Sequence, residues 1–187
     1  MFIIFIIEGK HKRLANIIFM SNTENYFDAQ EERCAELLEE FNDQLKWFEG
    51  LTANTRLSEI DFTCTDKKHR KCHVELKERK GNVQDYIDYG DVLIEVGKLH
   101  ATTRIMESGH SFNEQRLYIN FVDDGVIIFN LNNISHMKFY PNHKQRNYGK
   151  GTTEREDRLG LPISNAIIYK KNNGRYNTER FKQWEIT

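Results

Sequence analysis

Asp61, Glu75 and Lys77 are the residues of this chain whose types and spacing could do chemistry. Glu75 and Lys77 lie in a stretch where Cys72, Val74 and Leu76 alternate with His73, Glu75 and Lys77. Residues two apart in a strand point the same way, so Glu75 and Lys77 share one face while Val74 and Leu76 turn to the core. Asp61 has the same parity in the preceding stretch, where Ile60, Phe62 and Cys64 alternate with Asp61, Thr63 and Thr65. If the two strands are neighbours, Asp61 and Glu75 converge. Two carboxylates beside a lysine make a hard-oxygen site suited to Mg²⁺, with Mn²⁺ as the second candidate. Such a cation polarises a phosphate oxygen and lowers the pKa of a bound water. The lysine orients that water or offsets charge developing on the phosphate. Glu-x-Lys alone is ordinary on a solvated strand face. Its parity match with Asp61, and the acidic helix upstream, lift it above that background.

The elements that must hold these residues follow from periodicity. Cys34, Leu38, Phe41, Leu45 and Phe48 recur on one helical face, which predicts a helix over Asp28–Phe48 with Gly50 after its end. The charged stretch Asp66–Lys71 reads as a hairpin connection between the two strands. Asp91–Glu95 reads as a short strand and Val96–Ser108 as a helix stopped by Gly109. Arg116–Val122 and Val126–Leu131 are apolar, β-branched runs joined by Asp124-Gly125, a hairpin signal. Residues 138–160 read as a basic, glycine-containing loop, and Ile163–Lys170 as a last strand or helical turn. The expected fold class is α/β, with a single mixed β-sheet flanked by helices.

A length of 187 residues suits one domain, and no repeat or composition break divides it. Hydrophobic residues at 39% and only two prolines argue against wholesale disorder. The net charge of −1 excludes a protein that coats nucleic acid by bulk charge, but leaves room for local basic clusters. Three cysteines, Cys34, Cys64 and Cys72, make no disulfide framework and point to a reducing, cytoplasmic setting. Met1–Ile7 is an apolar run too short to span a bilayer, with its positive charge after it rather than before. Residues 1–19 are therefore read as a tail or start-site artefact, and 20–187 as one domain with no membrane partner.

Cys64, His69, Cys72 and His73 are soft ligands close in sequence. Their spacing fits no zinc module, and parity sends both cysteines to the core face and His73 to the other. No phosphate-binding glycine loop or nucleophile elbow is present. Basic residues cluster at Lys67–Lys71, at Arg79-Lys80 and across Lys138–Lys150, where aromatics are interleaved.

Asp61 in IDFT, Glu75-Leu76-Lys77 in HVELKERKG, the acidic first helix and the following DVLIEVGKLHATTRI together resemble the PD-(D/E)xK nuclease superfamily. The resemblance covers roughly Tyr26–Leu131, and it departs from the family pattern in having Ile60 where a proline often precedes the aspartate. It implies a restriction-endonuclease-like core and a Mg²⁺-dependent DNA nuclease. It further implies metal ligation by Asp61 and Glu75 with the Leu76 carbonyl as an extra ligand, and assistance to the attacking water from Lys77. Such enzymes often aim a first-helix glutamate at the metal. At 100° per residue Glu31 lies on the apolar stripe and Glu36 opposite it, so Glu31 is the first choice and Glu32 the second. Lys98, Arg79 and Lys80 are the expected DNA contacts. DNA is the expected partner, and a homodimer is left open. The alternative is a catalytically inactive nuclease-like domain that binds nucleic acid or another partner.

Overall fold

The computed structural model describes residues 22–54, 60–107, 114–147 and 152–180. The tail proposed at 1–19 and the helix stop at Ser108-Gly109 lie outside them.

The acidic helix α1 spans Asn22–Leu45, with Cys34, Leu38 and Phe41 buried as the apolar spacing requires. It ends earlier than the periodicity predicts. Lys46 takes a left-handed φ of 52°, and the Asn42 side chain accepts from the Phe48 amide (2.7 Å) and donates to its carbonyl (3.0 Å). Phe48 therefore opens strand β1 (Phe48–Ala53) instead of extending the helix. Gly50, at φ +60°, sits at an irregularity inside β1.

Strands β2 (Phe62–Asp66) and β3 (Lys71–Glu78) pair antiparallel, as expected, with Phe62 opposite Val74 and Cys64 opposite Cys72. Asp66 closes their turn by accepting from the Lys68 amide (2.8 Å), the Arg70 amide (2.9 Å) and the Arg70 guanidinium. From β3 the chain crosses through helix α2 (Val83–Tyr89), strand β4 (Asp91–Glu95) and helix α3 (Val96–Glu107). It returns in β5 (Gln115–Val122), parallel to β3. A parallel pair needs such a crossover, and this one lays β4 and α3 over the face that carries Glu75 and Lys77.

Strand β6 (Gly125–Asn130) pairs back on β5, with Val122 opposite Gly125. The two-residue loop is thus Asp123-Asp124, and Gly125 is already in the strand. Its small size is demanded by packing: a Cβ there would stand 2.2 Å from the Tyr169 carbonyl oxygen and 2.7 Å from Val83 Cγ2. The expected basic loop is instead a hairpin, β7 (Lys138–Asn147) and β8 (Thr152–Pro162). Phe139 and Leu159 are apolar partners in that hairpin, Leu161 is fully buried, and β8 pairs along the whole of β4. Basic composition hides this pairing because one face of each strand is polar. A 3-10 turn at Ile163–Asn165 leads to β9 (Ile167–Asn172) and β10 (Arg175–Arg180).

The architecture is mixed α/β. A seven-stranded mixed sheet runs in the order β1-β2-β3-β5-β6-β9-β10, and a three-stranded sheet, β4-β8-β7, accompanies it. One apolar core lies under α1 and includes Phe41, Val74, Leu76, Ile119 and Ile128. The second lies on the opposite face among Val92, Ile94, Tyr118, Phe129 and Leu161. Strand β3 is therefore buried on both sides. The half-buried strand expected from alternation is replaced by one whose polar face is covered by the crossover. Among the described residues, no helix is long and apolar enough to cross a membrane.

Candidate active site

Asp61 sits in the bend just before β2, where the backbones of β2 and β3 part. Its Oδ2 accepts from the Leu76 amide at 2.7 Å, so the carboxylate takes the place of the missing strand partner. N–H and C=O of one strand residue point to the same edge. The Leu76 carbonyl thus faces the edge on which Asp61 lies.

Glu75 is 4% exposed. Its Oε1 lies 2.8 Å from Lys98 Nζ, while its Oε2 is buried with no hydrogen-bond partner among the described residues. Burial, then the charge of Asp61, pushes the Glu75 carboxyl up to about 7. Asp61 is also raised by burial, against the pull of the Leu76 amide, Lys98 and Lys77. The charge of Asp61 thus acts on Glu75, and Lys98 and Lys77 act on both carboxylates. Burial would lower Lys98, but Glu75 and Asp61 raise it and keep it charged.

Lys77 points to the same side as Glu75 and lies 3.8 Å from Glu95 Oε1, the last residue of β4. Glu95 Oε1 also accepts from Arg158 Nη2 at 3.0 Å. Burial alone would raise Glu95, yet Lys77 and Arg158 overcome it and hold the carboxyl below its ordinary value. Arg158, on β8, also donates to Glu156 Oε2 at 2.9 Å, and its Nε is buried without a partner among the described residues.

The structure thus brings Asp61, Glu75, Lys77 and Lys98 together. Glu31 does not join them: it is exposed on α1. Among the described residues no three His, Cys, Asp or Glu side chains gather as a metal-holding group. The helix itself does pass nearby, since burial and the charges of Glu78 and Asp61 push the Cys34 thiol up to about 12. Glu32 is likewise exposed.

Arg79 is corrected from a surface cation to an internal strut. It donates to Asn120 Oδ1 (2.6 Å), Tyr118 OH (2.6 Å) and the Leu93 carbonyl, tying β3 to β5 and β4. Lys80 is exposed. Cys64 and Cys72 are buried free thiols on the α1 face, and His73 meets Glu114 at 2.6 Å on the other, as the parity argument required.

Two residues escaped the sequence reading. Glu95 had a weak signal, since alternation in DVLIE opposes it to Val92 and Ile94. Arg158 had none, because its stretch read as loop.

No family model matches the chain, and no curated protein is similar to it in sequence. Among solved structures, it is similar to Hjc of Archaeoglobus fulgidus, a Holliday junction resolvase from an archaeal hyperthermophile. The similarity has a TM-score of 0.41 and 10% identity, and covers 72% of this chain and 92% of that one.

Proposed function

We propose that the chain is a divalent-metal-dependent nuclease acting on DNA. The observation that carries this reading is the buried Glu75 Oε2, left without a partner beside the carboxylate of Asp61. An ionised carboxylate is costly to bury unless paired or bound to metal. Lys98 satisfies one oxygen of Glu75, and the second oxygen fits a cation shared with Asp61. Mg²⁺ or Mn²⁺ bound there would polarise a phosphate oxygen and acidify a water molecule.

The chain's own residues do the rest. Asp61 and Glu75 supply hard oxygen ligands, and the Leu76 carbonyl faces the same edge. The Leu76 amide fixes the rotamer of Asp61. Lys77, partly exposed, can reach a phosphate oxygen and stabilise the negative charge that builds during attack by water. Burial of Glu75 and Glu95 lowers the local dielectric and strengthens both effects. Lys98 and the exposed Lys80 offer cations to the DNA backbone.

A second reading is a nuclease-like domain that binds DNA without cutting it. The 2.8 Å contact of Lys98 with Glu75 and the absence of a third carboxylate among the described residues favour it. One experiment separates the two. Linear, nicked, flapped and four-way-junction DNA are incubated with the protein and Mg²⁺ or Mn²⁺, and cleavage and binding are measured together. Cleavage that vanishes with chelator and in both Asp61→Asn and Glu75→Gln supports the nuclease. Binding without cleavage for every substrate and cation supports the second reading.

A further inference from the structure

Lys77 comes from the seven-stranded sheet, whereas the groups that hold it come from the three-stranded one. Glu95 and Arg158 are directly paired positions of β4 and β8. Arg158 is 4% exposed, and a buried guanidinium is kept only where it has charge partners. Its partners are Glu95 Oε1 at 3.0 Å and Glu156 Oε2 at 2.9 Å. The same Glu95 oxygen lies 3.8 Å from Lys77 Nζ, which is ion-pair distance but longer than a hydrogen bond.

We propose that Arg158 and Glu95 form a positioning pair that aims the Lys77 ammonium at the Asp61–Glu75 carboxylates without consuming its hydrogen-bond donors. This rests on the nuclease reading above for its catalytic consequence, though not for its geometry. Arg158 anchors the Glu95 oxygen from behind. Without that anchor, Glu95 is free to close on Lys77 and take one of its N–H groups, or to swing away and release it. Either movement misplaces the charge that the transition state needs. Neither residue touches the substrate, so both act through Lys77. The three-stranded sheet then has a definite purpose: it delivers a counter-charge, anchored by the buried Arg158, to a lysine on the other sheet.

The test uses the full chain and two readouts. In DNA cleavage, Glu95→Gln and Arg158→Met each lower kcat by about 10- to 100-fold, the range for supporting groups around a site. KM stays within about twofold, because ground-state binding is untouched. Arg158→Lys, which keeps the charge on a single prong, recovers part of the loss and guards against a misfolded Arg158→Met. In a Lys77→Ala background the Glu95 and Arg158 substitutions cost nothing more. Losses that multiply with Lys77→Ala, or that appear in KM alone, overturn the proposal. So does wild-type kcat in Glu95→Gln.

The second readout does not require cleavage. The lysines are reductively methylated with ¹³C, and the Lys77 resonance is assigned from its absence in Lys77→Arg. It is expected broad and displaced in the wild type, at the free-lysine position in Glu95→Gln, and between the two in Arg158→Lys. An unchanged resonance overturns the positioning role. If no DNA is cut but the resonance moves as expected, the nuclease reading fails while the positioning pair stands.

Discussion

Lys98 Nζ lies 2.8 Å from Glu75 Oε1, joining the first turn of α3 to the polar face of β3. The ammonium therefore competes with any cation for the buried Glu75 carboxylate. Removing it in Lys98→Met should tighten Mg²⁺ binding by roughly fivefold or more, since a fixed positive charge next to the site is lost. Isothermal titration calorimetry reads this directly. Unchanged or weaker binding would show that Lys98 helps to order Glu75 rather than to oppose the cation.

Lys77→Ala should lower kcat by about 100-fold or more, with DNA affinity changed little, because its charge matters most where negative charge develops. Lys77→Arg should recover only part of this. The planar guanidinium would meet Glu95 side-on and lock to it, where the ammonium stays at 3.8 Å. Single-turnover cleavage alongside equilibrium DNA binding decides the matter. A parallel loss of affinity and rate would make Lys77 a plain phosphate contact.

Glu75 makes stability pH-dependent in the presence of chelator. Its carboxyl is near 4.5 in the unfolded chain and about 7 in the folded one. Between these values the folded protein holds a proton that the unfolded chain has lost, so stability falls as pH rises and levels off above about 7. Glu75→Gln removes this component. The stability advantage of Glu75→Gln over wild type should grow across that interval, as measured by urea unfolding at a series of pH values. Saturating Mg²⁺ should shrink the advantage by binding the ionised wild type. An advantage that is flat with pH would mean that Glu75 is not the strained group.

Glu31→Gln and Glu36→Gln should both cleave within about twofold of wild type, since both side chains are exposed on α1 and no third carboxylate joins Asp61 and Glu75 among the described residues. A tenfold loss confined to Glu31→Gln would return the helix glutamate to the site.

Gly125→Ala should destabilise the protein by about 1–3 kcal/mol or more, because the added carbon falls 2.2 Å from the Tyr169 carbonyl oxygen and the β6–β9 pairing would have to shift. Chemical denaturation measures it. A loss below ~0.5 kcal/mol would show that the two strands yield easily.

Local pattern was enough for the central hairpin. Alternation in the Asp61 and Glu75 stretches specified faces, and a strand has only two, so Asp61, Glu75 and Lys77 were predictable as a group. The same period-2 rule put Cys64 and Cys72 in the core and His73 on the other face. The α1 stripe was legible for the same reason, although its end was not: Asn42 captures Phe48 through a side-chain hydrogen bond that no hydrophobic period encodes. Charge composition misled at residues 138–160, where a hairpin read as loop, and at Arg79, whose guanidinium turns inward to Tyr118 and Asn120. Sequence lists an arginine's charge without saying which way the chain aims it. What surrounds the polar face of β3 was decided only in three dimensions. The crossover between parallel strands brought Glu95 and Lys98, and the second sheet brought Arg158 from a distant stretch. Periodicity fixes which side of an element a residue faces. Which other element covers that side depends on long-range pairing, and so does the buried charge balance around Glu75.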